Sequence, residues 1–201
     1  MPESLQSVVG TAVADLSRSI GALVGLAWTC FVVVGILGRV APLPAAEGPL
    51  LGGLFAVALL LVAAIGAEWL VHGGYERLGA DPAGGWTFVW LAVLFVPLAF
   101  LPLRIAVGFL VGGGSGLNGL FLVPTTLLAG WLAFYGGLDR LGLAADDFLR
   151  VFVYAVAMGA LPVAAAVLLD VAWLTDDRVA AAVATGVQVA ACWLGFTRTV
   201  P

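Results

Sequence analysis

Lysine is absent from the chain, and its eight basic residues are all arginine: Arg18, Arg39, Arg77, Arg104, Arg140, Arg150, Arg178 and Arg198. Without a lysine amine no Schiff base can form, which excludes retinal and pyridoxal chemistry. A Walker-type phosphate loop is excluded on the same ground. Histidine occurs once, at His72, and cysteine twice, at Cys30 and Cys192. Two cysteines so far apart, each inside an apolar run, give neither zinc-ligand spacing nor a disulfide framework and read as small packing residues. No cofactor is expected. Charge is scarce, at 10% of residues and a net −4, with no basic run. Nucleic acid is therefore not an expected partner, nor is an anionic lipid held by a polybasic clamp.

What the chain does hold is hydrocarbon. Of 201 residues 63% are apolar, against about 45–50% in a soluble domain, and the mean hydropathy is +1.15. A membrane-crossing helix needs roughly 20 apolar residues. Six runs qualify, at 19–38, 50–71, 86–111, 117–137, 150–171 and 178–197. Proline, glycine and acid clusters separate them: Pro42 to Pro49, Asp81-Pro82-Ala83-Gly84-Gly85, Gly112 to Gly116, Asp146-Asp147 and Asp176-Asp177. Lipid offers no partner to backbone N–H and C=O groups, so the spans must be helical. The expectation is an all-α polytopic membrane protein, six transmembrane helices arranged as three antiparallel hairpins, forming one domain over 19–201. The lipid bilayer is its first partner.

The arm at 1–18 carries Glu3 and Asp15 before its first arginine, unlike a secretory signal. Leu5, Val8, Val9, Ala12, Val13 and Leu16 recur at helical spacing, which predicts an amphipathic helix lying in the membrane interface. Arg18, Arg77, Arg140, Arg150 and Arg198 fall on one side of the six spans, Arg39 and Arg178 on the other. That bias places both termini in the cytoplasm of a prokaryotic cell, with the chain in its plasma membrane.

Trp69, Trp131 and Trp193 stand at an equal spacing of 62 residues. Gly73-Gly74-Tyr75-Glu76-Arg77-Leu78-Gly79 returns as Gly136-Gly137-Leu138-Asp139-Arg140-Leu141-Gly142. Asp15 to Arg18 and Asp147 to Arg150 likewise open two of the spans. The pattern predicts three hairpins of one ancestral type, with a repeat of about 62 residues.

Candidate site residues are few. Thr125, Thr126 and Gln188 are polar at the predicted midplane, where Pro97, Pro124 and Pro162 can kink three central spans. Broken helices around a midplane site are the architecture of small-solute carriers. Arg104 and Asp170 have opposite charge at similar expected depth and are a candidate intramembrane ion pair, the alternative being that each snorkels to headgroups. Glu68, His72 and Glu76 are spaced four apart and, with Arg77, form a cytoplasmic rim; Gly73-Gly74 is expected to end the helix between them.

Gly113-Gly114-Ser115-Gly116 resembles the Gly-X-Ser-Gly nucleophile motif of rhomboid intramembrane proteases, and Tyr75 to Gly79 is similar to the glutamate–glycine turn after that family's second span. The resemblance covers roughly residues 68–122 and implies Ser115 as nucleophile with a histidine base in the sixth span. Residues 178–197 contain no histidine. His72 lies at the opposite membrane face, about 30 Å from Ser115 across the hydrocarbon core. The sequence thus points to a protein without catalytic residues, an accessory or interaction subunit whose partner is another membrane protein or a second copy. A small-solute transporter, and a rhomboid-like protein lacking its histidine, are the alternatives.

Overall fold

The computed structural model describes residues 3–40, 49–112, 116–169 and 171–197, and among them there is no strand. The helices are α1 (Glu3–Val40), α2 (Pro49–Trp69), α3 (Tyr75–Leu78), α4 (Gly84–Trp90), α5 (Val96–Ala99), α6 (Leu101–Val111), α7 (Gly116–Phe134), α8 (Gly137–Leu141), α9 (Ala145–Leu168) and α10 (Asp177–Thr197). Widened π turns at Leu70–Gly74 and Leu91–Phe95 join α2 to α3 and α4 to α5, and a 3₁₀ turn at Ala172–Thr175 precedes α10. Four segments are long and apolar enough to cross a membrane: Val13–Gly38, Leu50–Leu78, Ala145–Leu168 and Asp177–Thr197. Gly84–Ala99 and Leu101–Val111 make a fifth if the bent pair is one span, and Phe121–Phe134 is a shorter apolar helix. The N-terminal arm is continuous with the first of these, because α1 runs unbroken from Glu3 to Val40.

The chain divides into two compact units, Met1–Val89 with Gly130–Gly137, and Trp90–Ala129 with Leu138–Pro201. In the first, α1 packs along α2 through small residues. Ala22, Ala67 and Tyr75 form its buried cluster, with Leu26, Leu70 and Phe134 against it. Gly21 lets two backbones meet, since a Cβ there would lie 3.2 Å from the Trp86 nitrogen. A Cβ on Gly84 would overlap the Ala133 carbonyl, so the start of α4 can lie only against the end of α7 with glycine at this position. The Asp81 N–H donates to the Phe134 carbonyl at 2.8 Å, and the Trp86 indole N–H to Ser17 Oγ at 2.9 Å.

In the second unit α6, α9 and α10 pack together. Phe148 meets Phe196 edge to face at 5.3 Å, and a Cβ on Gly195 would overlap Val151. Much of the buried set is alanine, including Ala92, Ala99, Ala106, Ala155, Ala181 and Ala191, around Leu91, Val96 and Val151. Small residues allow the close helix approach that lipid-embedded packing relies on. Helix α9 begins with a reciprocal cap: Asp147 N–H donates to the Ala144 carbonyl at 3.1 Å, and its carboxylate accepts the Ala144 N–H at 2.8 Å. The same carboxylate pairs with Arg150, one turn on.

The two glycine-rich turns named from sequence share their local geometry. Gly73 (φ +102°) and Gly136 (φ +65°) stop the preceding helices in a conformation that side-chain-bearing residues avoid. Gly74 and Gly137 then sit beneath Trp69 and Trp131, where an added Cβ would come within 2.7 Å of the indole in both cases. A short helix follows each, closed by left-handed Gly79 (φ +63°) and Gly142 (φ +64°). Their closing bonds match too. Gly79 N–H to Glu76 O and Gly142 N–H to Asp139 O are both 3.1 Å, and Ala80 to Tyr75 and Leu143 to Leu138 are both 2.9 Å.

Candidate functional site

The most heavily bonded deep polar side chain of those predicted is Gln188, 5% exposed on α10. Its position follows from a break in the neighbouring span. Proline lacks an N–H and crowds the carbonyl four residues back, and here two prolines, Pro97 and Pro102, lie five residues apart. The ladder loosens into the π turn at Leu91–Phe95, closed by Val96 N–H to Leu91 O. At Phe100 (φ −100°, ψ 19°) the helix leaves regular geometry, and the two halves meet at 58°.

In an unbroken helix the Leu103 N–H would bond to the Ala99 carbonyl, four residues earlier. The Gln188 carboxamide occupies that gap. Its Oε1 accepts the Leu103 N–H at 3.2 Å, and its Nε2 donates to the Ala99 carbonyl at 2.9 Å. A side chain with the donor and acceptor of a peptide group therefore replaces one rung of the ladder, a recognised way to hold a kink. Nε2 also lies 3.1 Å from Cys192 Sγ, one turn along α10. Both amide hydrogens and one lone pair of the amide oxygen are thus engaged within the protein.

The other polar side chains within the apolar helices bond more locally. Thr125, 5% exposed, donates to Phe121 O and Leu122 O on its own helix, each at 3.0 Å. Thr126 is buried beside it. Thr29 and Thr185 bond the carbonyls one turn back, at 2.9 and 2.8 Å. The bonds of Gln188 thus lead to the bent span, while those of Thr125 stay within α7.

Arg104 follows Leu103 directly, at the level of Gln188 in the middle of α10. Asp170 lies outside the described residues, as does Ser115, so neither the ion pair nor the serine loop is placed. His72 Nδ1 is 3.3 Å from Glu68 Oε1 and 2.9 Å from the Glu68 carbonyl, with both side chains exposed. Glu76 and Arg77 are exposed on α3, beyond the left-handed turn at Gly73. The structure therefore joins Glu68 with His72 and separates Glu76 from them by a helix break. Among the described residues no group of three or more His, Cys, Asp or Glu could hold a metal ion.

Ala99 and Leu103 are the partners of Gln188 that sequence reasoning missed, as it missed the part Pro102 plays in the break. The available signal was a second proline five residues beyond Pro97, together with a lone glutamine in an apolar run on another helix. No protein family, curated protein or solved structure matches the chain.

Proposed function

We propose that this protein is a non-catalytic integral membrane protein of a prokaryotic cytoplasmic membrane, an accessory or interaction subunit that acts by lateral contact in the bilayer. The observation that carries the reading is the fate of Gln188: its deep carboxamide is consumed by the protein's own backbone at Ala99 and Leu103. A side chain that holds the scaffold together is not offering itself to a solute. The threonine bonds within single helices and the alanine-rich core point the same way.

Helix α2 supplies a surface for such contact. It buries Ala63 and Ala67, while Leu50, Leu54, Leu61 and Ile65 are exposed. In lipid those side chains face acyl chains or another helix with little hydrophobic preference between the two, so association depends on shape. In this reading the bent pair and α7 each cross once, giving six spans in three hairpins with both termini cytoplasmic. The matching glycine turns after Trp69 and Trp131 support descent from one duplicated hairpin. Purification in mild detergent after cross-linking in the native membrane is expected to recover a stoichiometric polypeptide partner, or a second copy. A lone chain after cross-linking overturns the reading.

The 58° break favours one other function, a small-solute carrier, because discontinuous spans form the ion and substrate sites of such proteins. That reading requires Gln188 to release its backbone partners. It predicts solute-dependent protection of Cys192 from thiol reagents in proteoliposomes, and an accessory subunit shows none.

A further inference from the structure

We propose that Arg18 and the hydroxyl of Tyr75 hold one phosphate group at the end of the first unit. Tyr75 is 4% exposed, and its hydroxyl oxygen is buried with no hydrogen-bond partner. Its ring is held by contacts from three helices: Ala22 of α1, Ala67 of α2 and Phe134 of α7, whose ring centroid lies 5.9 Å away. The phenol therefore has little freedom to turn its oxygen towards water. A buried hydroxyl without a partner is costly, and the fold keeps one where a phenylalanine ring would pack the same way.

The charged group that acts on this hydroxyl is Arg18. It stands on α1 one turn before Ala22, on the helix face that meets Tyr75. Arg18 is tied only loosely. Asp15 lies 3.7 Å away, beyond hydrogen-bond length, and both side chains are exposed. The same Asp-x-x-Arg spacing in the second unit is closed. There Asp147 is buried, caps α9 with one carboxylate oxygen and pairs with Arg150 through the other. Arg18 thus keeps donors to spare beside a hydroxyl that lacks an acceptor. Two such donors, one of them cationic, call for oxygens of negative charge. A phosphodiester offers one free oxygen to each.

The level of the site points to a phospholipid head as the source. Trp69 precedes the turn that carries Tyr75, and Trp131 lies about one turn before Phe134 on α7. Both are exposed, as is Trp86, whose indole bonds Ser17, the residue before Arg18. Indole rings collect at the headgroup level, where phosphate is the abundant anion. The hydroxyl is closed to solvent, so seating a phosphate oxygen takes a shift of the Arg18 side chain, which its loose tie to Asp15 allows.

The inference rests on the chain spanning the bilayer and not on the accessory reading, and its test involves no partner polypeptide. The measurement is the thermal unfolding midpoint of the full chain in dodecyl maltoside, titrated with dioctanoylphosphatidylglycerol, dioctanoylglycerol or inorganic phosphate. The wild-type midpoint is expected to rise saturably with the phospholipid and not with dioctanoylglycerol, which lacks the phosphate. An equal rise with inorganic phosphate supports the seat but assigns it to the free anion. Tyr75→Phe keeps the ring and is expected to weaken phospholipid binding by at least about tenfold, the worth of one hydrogen bond to a charged group. Arg18→Gln is expected to weaken it as much. Arg77→Gln, at an exposed position on α3 at the same end, is expected to leave it unchanged. No phosphate-dependent rise in the wild type overturns the inference. So does an affinity that survives Tyr75→Phe or Arg18→Gln, or one that falls equally with Arg77→Gln. Should Arg18→Gln not fold, Tyr75→Phe decides.

Discussion

Proline meets two different fates in this molecule. Pro124 and Pro162 lie inside α7 and α9, each of which continues as one helix. Pro97 and Pro102 flank a break of 58°. All four remove a backbone donor, so the missing N–H alone does not explain the difference. What distinguishes the broken span is a pair of prolines within about one and a half turns and a carboxamide from α10 that bonds both freed groups. Proline permits a break in lipid; a neighbouring side chain that satisfies the opened backbone makes it tolerable.

The sharpest way to break that comparison is Gln188→Leu. It leaves the Ala99 carbonyl and Leu103 N–H without the amide, and each buried unsatisfied group costs about 1–3 kcal/mol. The expected loss is about 2–5 kcal/mol, read as a lower midpoint in thermal or dodecyl-sulfate unfolding. Gln188→Asn keeps the chemistry but shortens the reach, and is expected to fall between the two. If Gln188→Leu unfolds like the wild type, the amide is an ornament of the kink and the contrast between the prolines needs another cause.

Next in size is a rescue. Pro102→Ala restores an N–H at 102 for the Leu98 carbonyl and removes the ring that crowds it. In the Gln188→Leu background the helix can then straighten and re-form the Leu103 to Ala99 bond, recovering about 1–2 kcal/mol of the loss. Non-additivity in the double-mutant cycle is the measurement. Strict additivity would mean that the proline and the glutamine act separately.

The coarse architecture was legible because composition and run length decide it. Asp177–Thr197 coincides closely with a run marked in the sequence, and Leu50–Leu78 begins where another begins but runs seven residues past its marked end. The Gly73 and Gly79 turns were legible for a local reason, since left-handed backbone calls for glycine. Gln188 was found by polarity and depth, but its role was not. Its partners are 85 and 89 residues away, and they are backbone groups, which carry no sequence signature. Ala155 and Gly159 stand four residues apart on α9, a spacing that permits close helix packing, yet both line a groove between α6, α9 and α10. Spacing tells which residues share a helix face, while the distance to the next helix is set by contacts elsewhere, here Gly195 on Val151.

The unbroken prolines give smaller effects of opposite sign. Pro162→Ala returns a donor to the Met158 carbonyl without disturbing any side-chain bridge. Stability is expected to rise by up to about 1 kcal/mol, with the helical signal in circular dichroism unchanged. A loss instead would show that the bend at Pro162 shapes the packing of α9.

Thr125→Val is the smallest and the most diagnostic of the series. The hydroxyl donates to the carbonyls of Phe121 and Leu122, both inside a continuous α7. Those oxygens have second lone pairs, so a hydroxyl there supplements the ladder where Gln188 replaces a missing rung. Valine keeps the β-branch and the volume, and membrane side-chain hydrogen bonds average about 0.6 kcal/mol. The expected loss is no larger than that, within the scatter of most unfolding measurements. A loss approaching that of Gln188→Leu would have a definite meaning: the hydroxyl would be holding a ladder that Pro124 has already opened. The two classes of proline would then differ in degree only, in whether the stabilising side chain comes from the same helix or from a neighbour.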